Sequence, residues 1–215
     1  MLDPQLAKKI NTFILENYCI TELDTGQTSY FLEEHDDAGL STLEVSCSSG
    51  NDNILCIANY DKLPRCEFLS QSEKYGMRKC VDHVLLVKQS SGKWMVHLIE
   101  MKTSVGEHTW VNIKQKVRAS ILNIKALAAV LDLPLENFMA YTTYENLAFD
   151  TRAPENPAER KSRLGVPGTK EDEWDKNLIK INLLNSSRDE YHHTGIPMVK
   201  SVADGINKLC GKLII

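Results

Sequence analysis

Three residues near the middle of the chain have the types and spacing of a site that could hold a divalent metal. Residues 80–103, CVDHVLLVKQSSGKWMVHLIEMKT, read as two apolar strands joined at Ser90-Ser91-Gly92. Asp82 stands at the start of the first strand, and Glu100-Met101-Lys102 closes the second. Folding the chain back at Ser91-Gly92 brings Asp82 opposite Glu100 or within one residue of it. Alternate side chains share a face of a strand, so Glu100 and Lys102 point the same way, and Asp82 joins them if the register sets it directly across. Two carboxylates and a lysine then meet at one end of an otherwise hydrophobic strand pair. Ionised groups in such a place need a partner, and a divalent metal supplies one.

The elements that must position these residues come from the rest of the pattern. Asp3-Pro4 is a helix-entry signal, and the first helix is expected to run to about Tyr18 with Leu6, Ile10, Phe13 and Ile14 on one face. Residues 27–32 and 41–47 read as short strands or the ends of a second helix. Residues 52–59, DNILCIAN, are β-like, and 60–75 are irregular. The hairpin strands are expected at 77–88 and 93–102. Apolar residues at Ile113, Val117, Ile121, Leu122, Ile124, Leu127, Ala128 and Leu131 predict a long amphipathic helix over 109–133, ended before Pro134. Residues 138–143 and 178–184 read as further strands. The stretch 150–175, rich in Pro, Gly, Lys, Arg and Glu, reads as an exposed, loop-rich insert.

Composition sets the outer limits. A chain of 215 residues suits one domain with a substantial core. The 42% hydrophobic and 25% charged content is that of a globular protein. A net charge of −4 excludes a global basic field for nucleic acid, so any such surface is local. Cys19, Cys47, Cys56, Cys66, Cys80 and Cys210 show no C-x-x-C spacing and read as free thiols, several of them inside apolar runs. No signal-peptide pattern and no bilayer-length apolar run is present, which gives a cytoplasmic, non-membrane expectation.

The order strand, strand, long helix, strand over about 77–143 resembles the core of the PD-(D/E)XK nuclease-like superfamily. The resemblance covers about a third of the chain. Asp82 matches the first acid of that motif, Glu100 the second and Lys102 the lysine, with Val81 where the family name has Pro. It implies an α/β fold, a central mixed β-sheet flanked by helices with a restriction-endonuclease-like core, in a single domain spanning 1–215. It also implies a nuclease with DNA or RNA as substrate and Mg²⁺ or Mn²⁺ as cofactor. The helix after the motif often turns polar residues toward the site, and IKQKVR offers Lys114, Gln115, Lys116 and Arg118 for phosphate. The acid often supplied by an N-terminal helix has four candidates here, Glu16, Glu33, Glu34 and Glu44.

That chemistry explains the residue types. Asp82 and Glu100 are hard oxygen ligands, and water, phosphate and a backbone carbonyl such as that of Met101 would complete the shell. Such an ion acidifies water and polarises phosphate, and Lys102 would orient the water or meet developing charge. His83 and His97 fall on positions facing away from the acids, and His192-His193 on a polar loop. Trp94 and Trp110 read as core aromatics. Arg152, Arg160, Lys161 and Arg163 are a candidate phosphate-backbone contact diluted by Glu155 and Glu159. The competing readings are a nuclease-like fold used without catalysis, as a binding or regulatory module in a larger assembly, and a structural protein whose acids never meet metal. The modest acidity of the chain suggests a small substrate, an activating ligand or a homo-oligomeric channel that concentrates the basic residues.

Overall fold

Asp3 starts the first helix by accepting the amides of Gln5 at 2.7 Å and Leu6 at 3.3 Å, while Pro4 at the first helical position sacrifices no hydrogen bond. This helix, α1, spans Pro4–Phe13 and stops short of Tyr18, because Ile14 turns to extended backbone. Leu6 is buried and Ile10 and Ile14 lie against the core, but Phe13 is exposed. The structure is a computed structural model that describes residues 3–15, 18, 20–23, 29–36, 39–46, 54–63, 77–149, 170–183, 189–203 and 206–215.

The central hairpin pairs β5 (His83–Lys88) with β6 (Trp94–Glu100), turning through Gly92 at φ 80°. The strands are shorter than expected at the site end: Asp82, Met101 and Lys102 lie just outside them. From β6 the chain passes through β7 (Ser104–Gly106) into α2 (Glu107–Leu131). It returns as β8 (Leu135–Tyr144), parallel to β6, with α2 serving as the crossover that a parallel pair needs. Asp132 ends α2 in the left-handed region, and Leu133 donates to the Ala128 carbonyl at 2.8 Å just before Pro134.

Four more strands complete this sheet: β1 (Ile20–Leu23), β4 (Ile54–Ile57), β10 (Leu178–Ile181) and β11 (Asp189–Pro197). The order is β1-β4-β5-β6-β8-β11-β10, and the sheet is mixed because β6/β8 and β8/β11 are parallel. A second sheet contains β2 (Ser29–Asp36), β3 (Gly39–Ser46), β12 (Val199–Ala203) and β13 (Ile206–Ile214), ordered β12-β13-β3-β2. A short parallel ladder joins β7 to β9 (Asn146–Ala148), and α3 spans Lys170–Asp175.

The large sheet is covered on both faces, which is why β5 is apolar without interruption. On one face Val84, Leu86, Val96, Leu98, Phe138 and Ala140 pack with Ile113, Val117, Ile121 and Ile124 of α2. On the other, Leu85, Ile99 and Tyr141 meet Leu32, Leu43, Val45 and Leu213 of the second sheet. The molecule is therefore mixed α/β with a large mixed sheet, and the expectation of a sheet flanked by helices is corrected at one face, where the cover is a second sheet. The segment holding His192-His193 is an interior strand instead of a polar loop, paired with β8 on one side and β10 on the other, with His193 and Ile196 buried. Residues 170–175 of the expected insert form α3, and 150–169 lie outside the described residues. Among the described residues no helix is long and apolar enough to cross a membrane.

Candidate functional site

The hairpin register decides which residues meet. The ladder's last pair is His83 with Ile99, so Asp82 and Glu100 form the next pair beyond it. By alternation they share the face of Val84 and Leu98, the face covered by α2. Asp82 Oδ2 accepts the Met101 amide at 2.6 Å, closing the open end of the hairpin, and the Asp82 carbonyl accepts the Tyr60 amide at 2.6 Å. Lys102 is clamped to β8: its amide donates to Thr143 Oγ1 at 2.9 Å, and that hydroxyl donates back to the Lys102 carbonyl at 3.3 Å. So held, Lys102 Nζ lies 2.6 Å from Glu100 Oε1, 2.8 Å from the Met101 carbonyl and 3.9 Å from Asp82 Oδ2.

The fourth member comes from α2. Lys116 Nζ lies 2.6 Å from Glu100 Oε1 and 3.2 Å from Asp82 Oδ1. The same side of the helix is fastened to the approach to β5, where the Val81 amide donates to Ser120 Oγ at 2.9 Å and Asn123 Nδ2 approaches Cys80 Sγ at 3.8 Å. Ser120 Oγ donates in turn to the Lys116 carbonyl at 2.8 Å. Residues 116, 120 and 123 are spaced to lie along one helix face, so this stitching aims Lys116 at the acids.

Both acids are removed from water: Asp82 is 3% exposed and Glu100 0%. Burial, with the Asp82 charge adding to it, pushes the Glu100 carboxyl up to about 7 against the opposing pull of Lys102 and Lys116. For Lys116 burial works against the charge, but Glu100 and Asp82 outweigh it and hold the ammonium above its ordinary range. Both lysines contact Oε1 of Glu100, while its buried Oε2 has no hydrogen-bond partner among the described residues.

Of the described N-terminal acids Glu33, Glu34 and Glu44, Glu34 is the one whose carboxyl responds to the site. Burial and then the Asp82 charge raise its carboxyl, and Lys62, with Nζ 3.9 Å away, and Lys102 oppose them. Glu33 is exposed, Glu44 is paired with Lys212 at 2.9 Å, and Glu16 lies outside the described residues.

Three of the four polar helix residues expected at the site go elsewhere. Lys114 binds both oxygens of buried Glu173, at 2.9 and 2.7 Å. Gln115 and Arg118, with Lys114, line a cavity of about 250 Å³ bounded by Lys180, Ile181 and Asn182. At 100° per residue a helix cannot aim four near-consecutive side chains at one point, so Lys116 alone reaches the acids.

His83 and His97 do face away. His83 Nδ1 accepts the Asn59 amide at 3.2 Å, and His97 Nδ1 is hydrogen-bonded to the Tyr141 hydroxyl at 3.0 Å. His193 is hydrogen-bonded through Nε2 to Thr142 Oγ1 at 3.0 Å and packs against Trp110 and Trp174. Trp94 and Trp110 are buried, and so are Cys56 and Cys80, which form no disulfide among the described residues. Arg152, Arg160, Lys161 and Arg163 lie outside the described residues. Sequence reasoning missed the Thr143 clamp and the Ser120 fastening. Buried Ser120 and Asn123, on one helix side with Lys116, were the available signal.

The donor set suits a hard cation. Asp82 and Glu100 supply carboxylate oxygens, one of them buried without a partner, and the Met101 carbonyl lies beside them. No group of three or more His, Cys, Asp or Glu side chains with metal-holding geometry occurs among the described residues. Two carboxylates and a carbonyl are still a fitting set for Mg²⁺ or Mn²⁺, which keep several waters. No protein-family model, no curated protein and no solved structure matches this chain.

Proposed function

We propose that the chain is a metal-dependent nuclease that hydrolyses phosphodiester bonds in DNA or RNA, on a core of the restriction-endonuclease kind formed by β5, β6, α2 and β8. One observation carries the reading. Asp82, Glu100, the Met101 carbonyl and Lys102 converge at the end of one hairpin, with both carboxylates buried on the same face of the sheet. Buried paired acids beside a lysine cost stability when the pairing is imperfect, and function is one reason to keep them.

Asp82 and Glu100 would hold Mg²⁺ or Mn²⁺ with help from the Met101 carbonyl. Such an ion, when bound, acidifies a water and polarises the phosphate. Lys102, fixed by Thr143 and already directed at Met101 O and Glu100 Oε1, would orient the attacking water and offset charge building on the phosphate oxygens. Burial of the acids excludes bulk water, which strengthens each of these interactions.

The test is incubation of purified protein with single- and double-stranded DNA and RNA, in Mg²⁺ or Mn²⁺, with and without chelator. Metal-dependent cleavage lost in Glu100→Gln supports the reading. A second reading, a non-catalytic nuclease-like module, is favoured by one observation: Lys102 and Lys116 already balance the charge of the two acids. It prevails if no divalent ion binds and no substrate is cut in any oligomeric state.

A further inference from the structure

We infer that Lys116 is a built-in competitor for the metal site: its ammonium bridges Asp82 and Glu100 in the resting protein, and a divalent ion binds by displacing it. This rests on the metal-dependent reading above and goes beyond it, because it makes metal affinity a property of a helix residue that is not a ligand.

The geometry selects Lys116 over Lys102. Lys116 Nζ sits between carboxylate oxygens from the two strands, at 3.2 Å and 2.6 Å. Lys102 Nζ is 3.9 Å from Asp82 and is held by the Met101 carbonyl at 2.8 Å. Two ammoniums crowd onto Glu100 Oε1, while the buried Oε2 has no hydrogen-bond partner among the described residues and is left for a cation to satisfy. Two carboxylates and two ammoniums sum to no net charge. An arriving divalent ion therefore meets little attraction until one ammonium leaves.

Lys116 is equipped to leave. Its backbone is pinned through Ser120, but its side chain is 22% exposed, so part of the side chain already meets solvent. A displaced ammonium beside the acids needs an anionic partner, and a substrate phosphate supplies one. Metal and nucleic acid would then bind cooperatively, each making room for the other.

Mn²⁺ binding to the full chain, by calorimetry and by the paramagnetic resonance of free Mn²⁺, tests this without reference to cleavage. Lys116→Met should bind Mn²⁺ at least about tenfold tighter than wild type, since a positive charge a few ångströms from the ion is gone. Lys116→Gln, which keeps a hydrogen-bond donor for Glu100, should show the same direction and covers the case in which the Met variant does not fold. Lys116→Arg, which keeps the charge, should bind no tighter than wild type. Thermal melting should show a larger gain on adding Mn²⁺ for the Gln and Met variants than for wild type. Unchanged or weaker affinity in both charge-removing variants, with binding lost in Glu100→Gln, overturns the inference and leaves the nuclease reading standing. Absence of binding in wild type and every variant, or wild-type affinity in Glu100→Gln, overturns both.

Discussion

The Asp82 carboxylate accepts the Met101 amide across the open end of the hairpin at 2.6 Å. One acid thus ties β5 to the chain leaving β6 and, through its other oxygen, meets Lys116. Removing an acid does not relieve repulsion here, because the ammoniums of Lys102 and Lys116 would then outnumber the acid that remains. Asp82→Ala would leave the buried Met101 amide unpaired and Lys116 poorly compensated, at a cost of about 1–3 kcal/mol. Asp82→Asn keeps an acceptor for the amide and should cost less. Urea denaturation in chelator measures both, and equal stability of Asp82→Ala and wild type would show that this bond does not hold the hairpin end.

Stability should fall on acidification through the histidine range. Burial pushes His97 down to about 4 and His193 to about 3, the latter helped by neighbouring His192. Their unfolded values are near the ordinary 6.5, so below that pH the unfolded chain binds more protons than the folded one. The stability present above about 6.5 is then lost as pH falls toward the folded values, at up to about 1.4 kcal/mol per pH unit for each histidine. Glu100 slopes the opposite way: raised to about 7, it contributes stability at low pH that is lost as pH rises through that value. Comparing wild type with His193→Gln isolates one histidine from this opposing term. Urea midpoints between pH 7.5 and 5 should fall less steeply in the variant, and parallel slopes would refute the assignment.

The hairpin was legible because its signals agree: continuous apolar strands, a Gly-containing turn and a register counted outward from that turn. Period-two alternation was also present in β2, where Tyr30 and Leu32 point inward and Phe31 and Glu33 outward. The polar run Glu33-Glu34-His35-Asp36 at its end broke that pattern, so strand and helix end stayed equal alternatives and the second sheet was not assembled. β11 was obscured for a related reason, since His192, His193 and Thr194 look like loop residues until parallel pairing with β8 buries His193. Helical period alone narrowed the phosphate candidates to a stretch and could not choose among them. The choice of Lys116 depends on which side of α2 touches residues 80–82, a tertiary fact that no local pattern carries.

The entry to α2 leaves no room for a side chain at Gly106. A Cβ there would stand 2.5 Å from the Ala148 carbonyl oxygen and 3.2 Å from its carbon, and backbone cannot swing aside as a side chain can. Gly106 also pairs with Ala148 in the β7/β9 ladder and caps the helix that carries Lys116. Gly106→Ala should therefore destabilise by about 1–3 kcal/mol, as overpacking does. A thermal midpoint equal to that of wild type would show that the ladder yields easily and does not set the start of α2.

Glu100 and Lys102 should separate metal binding from rate. Glu100→Gln keeps the side chain's volume but withdraws a proposed carboxylate ligand from a fully buried position, so Mn²⁺ affinity and cleavage should both collapse. Lys102→Ala removes no proposed ligand, and the Thr143 clamp acts on the Lys102 backbone, so the Met101 carbonyl keeps its place. Mn²⁺ affinity should hold, or tighten slightly as a nearby positive charge disappears. The rate at saturating metal should still drop about a hundredfold or more, the scale expected when a group that positions or deprotonates the nucleophile is lost. Single-turnover cleavage alongside Mn²⁺ titration reads the two effects apart. Weakened metal with an intact rate would reduce Lys102 to a salt-bridge partner of Glu100 and move the chemical step to another residue.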